Sequence, residues 1–247
     1  MSAINRKFRE RDIDSPASHP GVTAVLKALK RRSDGPGRQV KALREYEIAA
    51  MLQHCDALGQ REVYRRIAAR DAAIIAVGFA GALRRSEICG LRFEGVEFIG
   101  GPDETPGMYL HIRRSKTDQY ARGQRVAIPD GKRIRPVSRI HRWLTLAGIR
   151  PGSPVFQTLR RGGRLTGRAL SRSDVPRLVK RYVCSIGLDP AEYSGHSLRA
   201  GFVTSAAAHH ARLDKIMEVT RHRSAGMVLR YIRQADAFED HAGEDFL

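Results

Sequence analysis

Residues 61–92, REVYRRIAARDAAIIAVGFAGALRRSEICGLR, decide the fold. The segment 61–80 begins basic and turns almost wholly apolar from Asp71 to Ala80. A helix that is apolar all round at one end is buried there, so 61–80 is predicted to be a helix whose end lies in the core. Gly81 and Ala82 then break it, and Arg84-Arg85-Ser86-Glu87 opens a second, short helix. A charged residue placed directly after a buried segment is held rigidly, which is the condition for a pre-organised anion site.

Downstream the pattern changes period. Residues 96–99 (VEFI), 108–114 (MYLHIRR) and 125–128 (RVAI) read as strands, with Gly100-Gly101-Pro102 and Arg122-Gly123-Gln124 as turns. They predict one small antiparallel sheet. Helical spacing resumes at 136–147, 173–186, 197–208, 212–220 and 225–235, while 148–171, rich in Gly and Arg, reads as a long loop. Upstream, 44–55 (REYEIAAMLQHC) is helical. Helices, one small sheet, then more helices make an α+β chain that is mainly α.

The ends differ from this body. Residues 15–32 form one isolated helical stretch, with Val22, Val25, Leu26 and Leu29 at helical spacing, followed by the Gly/Pro/Ser-rich segment 33–41. One helix and a linker cannot be a domain, so 1–41 is expected to be the remnant of an upstream domain, 42–231 the main domain and 232–247 a tail. That tail holds Arg233 against five acidic residues, Asp236, Glu239, Asp240, Glu244 and Asp245, with Phe238, Phe246 and Leu247 as apolar anchors. It suits docking on a basic protein surface or a solvated end.

Charge narrows the function. The 247 residues carry 44 Lys+Arg against 26 Asp+Glu, a formal charge of +18. All but eight of the basic residues are Arg, whose planar fork takes phosphate oxygens two at a time, so nucleic acid is the expected partner. No run approaches the roughly 18–20 apolar residues of a membrane span. The start MSAINRKFRERD has no apolar segment behind its charges, so no secretory signal is read there. Cys55, Cys89 and Cys184 are too dispersed for a disulfide framework or a metal site, which fits a reducing cytoplasm. The adjacent His209 and His210 point in different directions on a helix and are read as surface residues.

Four stretches offer the groups needed to cut a phosphodiester without a metal. In GALRRSEICGL, Glu87 lies three residues after Arg84 and can hold its guanidinium or its loop, although a buried structural salt bridge fits equally. In RRSKTDQYARGQRVAIP, Lys116 sits on a predicted hairpin, as a proton donor or a plain phosphate contact. In YSGHSLRAGF, His196 and Arg199 share the face of a helix start, a good phosphate site. In RHRSAGMVLRYIR, His222 precedes a helix that carries Tyr231 nine residues later, flanked by Arg230 and Arg233. Taken alone, Tyr231 reads better as a core or interface tyrosine.

Together and in this order, Arg84, Lys116, His196-x-x-Arg199, His222 and Tyr231 resemble the tyrosine recombinase (phage integrase) family over about residues 40–235. The resemblance is carried by Ala82-Leu83-Arg84-Arg85-Ser86-Glu87-Ile88, Ser115-Lys116-Thr117, Ser194-Gly195-His196-Ser197-Leu198-Arg199 and the pair His222 and Tyr231. It implies a mainly helical catalytic domain with a small sheet. It also implies that Tyr231 attacks the scissile phosphate to give a 3′-phosphotyrosyl enzyme, that Arg84 and Arg199 clamp the phosphate, and that Lys116 protonates the leaving 5′-oxygen. His196 would be the base toward the tyrosine hydroxyl or would orient the phosphate, His222 a hydrogen-bond donor to phosphate and Glu87 a support. No metal, ATP or other cofactor is implied. The implied partners are double-stranded DNA and further copies of the chain, four in a synapse, in the cytoplasm at the nucleoid of a prokaryote or on a phage or mobile element. A type IB topoisomerase-like relaxing activity, and a non-catalytic DNA-binding descendant, are the alternatives. Where the family often has Gly before the second histidine, this chain has Arg221, an added cation beside the site.

Overall fold

The computed structural model describes residues 5, 7–8, 10–32, 40–100, 106–112, 123–222 and 224–235, with only the backbone described at 30–32, 230 and 232–235. The chain divides into two compact units, Met1–Gln39 and Val40–Leu247. In the first, a 3-10 turn at Pro16–Ser18 is capped by the Ser15 hydroxyl, and α1 (Pro20–Arg32) follows with proline in its first turn, where no N–H is needed.

The second unit is built around one buried helix. After α2 (Glu45–Leu58) comes α3 (Arg65–Ala80), in which every residue from Ala69 to Phe79 except Arg70 is buried. A helix apolar on every side needs neighbours on every side. α3 has them in α2, in α5 (Pro136–Ala147) and in α7 (Ser197–Ala208). Between α3 and α5 lie the short α4 (Arg85–Gly90) and the strands β1 (Val96–Ile99), β2 (Gly107–Ile112) and β3 (Gln124–Pro129). They form an antiparallel sheet in the order β1-β2-β3. Met108 pairs with Ile128 and Leu110 with Val126, and this face is buried, while the Arg125 guanidinium covers the Tyr109 ring outside at 3.4 Å.

The stretch 148–171 is not the continuous loop that its composition predicts. It holds a hairpin, β4 (Gln157–Leu159) and β5 (Leu165–Ala169), so the fold has a second, two-stranded sheet. Strands of three and five residues carrying Gln, Thr, Gly and Arg give no alternation to read. The hairpin is shaped instead by Gly162 and Gly163 at φ +80 and +75. Next, α6 (Asp174–Ser185) buries Val175, Leu178, Val179, Tyr182 and Val183 along one face. Its Tyr182 hydroxyl donates to the fully buried Asp71 of α3 at 3.1 Å, and Arg70 and Arg181 complete the neutralisation of that carboxylate.

The chain ends in α7, α8 (Leu213–Thr220) and α9 (Ala225–Ala235). These three share a small core of their own, Val203, Ile216 and Val228. The segment entering the unit is fastened to α7 and to the 3-10 turn before it, Pro190–Glu192, by backbone bonds: Leu43 N–H to the Ser197 carbonyl at 3.1 Å and Lys41 N–H to the Glu192 carbonyl at 2.9 Å. The result is α+β and mainly helical, as the order of elements predicts. Among the described residues no helix is long and apolar enough to cross a membrane.

Candidate active site

The site is built where α3 stops. Gly81, Ala82 and Leu83 fold back on it, their N–H groups donating to the carbonyls of Val77, Phe79 and Gly78. Gly81 is packed tightly enough that a Cβ would lie 2.9 Å from Ile128 Cδ1, and Ala82 has φ +44, in the left-handed region. Leu83 plugs the core, so Arg84 emerges at the start of α4. Glu87, 2% exposed, closes that start: its Oε2 accepts the Arg84 N–H at 2.8 Å and its Oε1 accepts from Arg84 Nη1 at 2.7 Å. Both options read from the spacing, holding the guanidinium and holding its loop, are realised.

Arg199, in the first turn of α7, is equally buried at 2% exposure. Its Nη1 donates to the Ala82 carbonyl at 2.6 Å and its Nη2 to the Thr220 carbonyl. One side chain thus ties the end of α3 to the end of α8. Directly after Thr220, Arg221 takes φ +57 and ψ +39, and its buried guanidinium turns back toward α4. Arg221 Nη2 donates to Glu87 Oε2 at 2.7 Å, and Nη1 to the carbonyls of Val219 (2.8 Å) and Gly81 (3.2 Å). Two guanidinium groups therefore bond one carboxylate, and a third, that of Arg199, feels its charge, leaving an excess of positive charge beside the first turn of α7.

The histidines and the tyrosine close the pocket. His196 caps α7, and its Nε2 is 3.1 Å from the Tyr231 hydroxyl. The His222 ring lies at 26° to that of Tyr231, with centroids 6.5 Å apart. Tyr231 is half-buried and packs on the Val203–Ile216–Val228 core. The structure thus brings Arg84, Glu87, His196, Arg199, His222 and Tyr231 to one place. Lys116 lies outside the described residues, as do 236–247 of the acidic tail. Arg221 is what the sequence reading underweighted: an arginine beside a candidate histidine signals a nearby cation, not a buried partner for Glu87.

Electrostatics follow from the crowding. Burial, then Arg84 and Arg221, bring the Arg199 guanidinium down to about 9, which leaves it charged at neutral pH. His196 is pulled below its ordinary value by desolvation and then by Arg199, Arg84 and Arg85. His222 is pulled from 6.5 to about 4 by burial and then by Arg199, Arg84, His196 and Arg221, and its buried Nδ1 meets no partner among the described residues. A neutral imidazole with its proton on Nδ1 presents Nε2 as an acceptor, so His196 can take a proton from the Tyr231 hydroxyl.

A stability prediction arises here. His222 has a depressed value when folded, so below pH 6.5 the unfolded chain binds the proton better. Its contribution is complete above about 6.5 and is lost as the pH falls toward about 4. The thermal midpoint should therefore rise across that window and level off above it. His222→Gln should flatten the rise in a melting series from pH 4 to 8; an unchanged slope would remove His222 as its source.

The chain matches the model of the "Phage integrase family" over residues 41–237. It is 42% identical over 176 residues to "Integrase/recombinase xerD homolog" of Selenomonas ruminantium, which covers 70% of this chain and 50% of that protein. The chain thus spans about half the length of that relative. It is 26% identical over 243 residues to "Tyrosine recombinase XerD" of Xanthomonas axonopodis pv. citri (strain 306), covering 88% of this chain and 72% of that one. In fold it is similar to XerH site-specific recombinase bound to palindromic difH substrate in a post-cleavage complex, with a TM-score of 0.62 at 18% identity over 83% of this chain and 53% of that one. The family model covers most of the described site-bearing unit, and one relative exceeds two fifths identity over more than two thirds of the chain: the chain belongs to the phage integrase family.

Proposed function

We propose that the chain is the catalytic part of a site-specific DNA recombinase or integrase that cuts and rejoins DNA through a 3′-phosphotyrosyl intermediate, with neither metal nor ATP. The observation that carries this reading is the 3.1 Å contact from His196 Nε2 to the Tyr231 hydroxyl beside the Arg84–Glu87–Arg199–Arg221 cluster. His196 takes the hydroxyl proton as Tyr231 Oη attacks phosphorus. Arg84 and Arg199 hold the non-bridging oxygens as negative charge builds on them. The P–O5′ bond breaks and the leaving oxygen takes a proton, supplied by Lys116. The bond energy stays in the phosphotyrosine, and a second strand's 5′-hydroxyl reverses the steps, which exchanges strands when several copies act on two duplexes. Support for duplex DNA as substrate comes from the net charge of +18 and from the DNA-bound state of the XerH structure. Four copies on DNA, the tail against a neighbour, and work at the nucleoid in the cytoplasm complete the reading.

The test uses a pool of nicked duplexes of randomised sequence, with EDTA and no nucleotide. Protein-linked strands are recovered under denaturing conditions and the DNA-bearing peptide is mapped. The reading expects a linkage from Tyr231 to a 3′-phosphate. A 5′ linkage, another residue, or no adduct while the chain binds the pool would overturn it. Relaxation of supercoiled plasmid by separate copies would favour the topoisomerase-like alternative.

A further inference from the structure

We propose that Arg221 is a positioning residue for cleavage, splitting the Glu87 carboxylate so that Arg84 keeps donors free for the scissile phosphate. This rests on the function proposed above.

Three observations carry it. First, Arg221 occupies a left-handed backbone, φ +57, that glycine adopts without strain and that a side chain adopts only where its contacts repay it. Second, those contacts join separate parts of the site: Glu87 on α4, the Gly81 and Ala82 carbonyls after α3, and the Val219 carbonyl in α8. The Ala82 carbonyl accepts from Arg199 as well, so Arg221 and Arg199 grip the same turn. Third, Arg221 meets Oε2 of Glu87 while Arg84 Nη1 meets Oε1, so only one terminal nitrogen of Arg84 is engaged among the described residues. Without Arg221, Oε2 is left to its bond from the Arg84 backbone and can rotate toward the rest of the Arg84 guanidinium. A carboxylate and a guanidinium favour that bidentate pairing, and it would withdraw the donors a phosphate needs.

The experiment measures two things on duplexes recovered from the pool: affinity, and the single-turnover rate of the Tyr231 adduct. Arg221→Gly suits the backbone and removes the fork. It should bind the same duplexes within about threefold of the unaltered chain and form the adduct about 100-fold more slowly, the scale of a misplaced catalytic group. Arg221→Lys keeps the charge but not the fork, and should fall between the two. Glu87→Gln combined with Arg221→Gly should be no slower than the slower single variant, because the pair acts as a unit. Thermal melting reports whether each variant folds; should Arg221→Gly not fold, Arg221→Lys decides alone, and a normal rate from it overturns the proposal. Unchanged cleavage by Arg221→Gly, a loss of rate matched by lost affinity, or full additivity with Glu87→Gln would also overturn it. Failure of the unaltered chain to form a Tyr231 adduct would instead sink the functional reading beneath it.

Discussion

Tyr231→Phe should bind DNA as the unaltered chain does and form no covalent adduct. The substitution deletes one oxygen. It gives up the contact with His196, a partly solvated hydrogen bond whose net contribution is about 1 kcal/mol. The ring stays packed on Val203, Ile216 and Val228, so α9 keeps its seat. Nothing in the arginine cluster is altered, so the anion site persists. Removal of a nucleophile that forms a covalent intermediate costs roughly 10⁶ in rate, which puts the variant below detection on a denaturing gel. A gel shift on the same duplexes serves as the control for binding. Adduct formation by the phenylalanine chain would place the nucleophile elsewhere.

Gly201→Ala should be the most damaging glycine-to-alanine change among the described residues. In an ordinary helix interior this exchange gains about 1 kcal/mol, because alanine is the better helix former. Here a Cβ at 201 would overlap the Leu43 carbonyl oxygen and sit 2.6 Å from its carbon. Those are backbone atoms and cannot rotate away. The segment entering the unit must move outward, breaking the Leu43–Ser197 and Lys41–Glu192 bonds and lifting the fully buried Leu43 from the core. Overpacking costs about 1–3 kcal/mol and a lost core leucine about 2–5, so the contact outweighs the propensity gain. At this size roughly 2–4 °C of melting temperature is lost per kcal/mol, and a drop near 10 °C is expected. The adduct rate should fall with it, since His196 caps α7 and Arg199 lies in its first turn. A melting temperature within about 2 °C of the unaltered chain would contradict the close approach of α7 to residues 41–43.

Much of the fold was legible because the punctuation is strong. The segments 136–147, 197–208 and 225–235 were readable to the residue; the first is bounded by Pro136 at its start and by Gly148, at φ +60, after its end. The strand at 96–99 was readable to the residue; those read at 108–114 and 125–128 run Gly107–Ile112 and Gln124–Pro129, with 113 and 114 outside the described residues. The β4–β5 hairpin was not readable, because its pairing depends on a glycine turn and not on a buried face. At the site, linear spacing yields Arg84 with Glu87 and His196 with Arg199, because three residues is nearly one helical turn. His222 and Tyr231, nine residues apart, come together as a pair only through the family resemblance. What spacing cannot yield is a partner found across the fold, and Arg221 meets Glu87 over 134 positions of chain.

Arg199 rests on two main-chain oxygens, those of Ala82 and Thr220. Every amino acid supplies such an oxygen, so no mutation at either position deletes the anchor. Ala82 and Thr220 are both fully buried and Ala82 holds a left-handed φ, so room and backbone hand, not side-chain chemistry, limit what can stand over one of the site's fixed points.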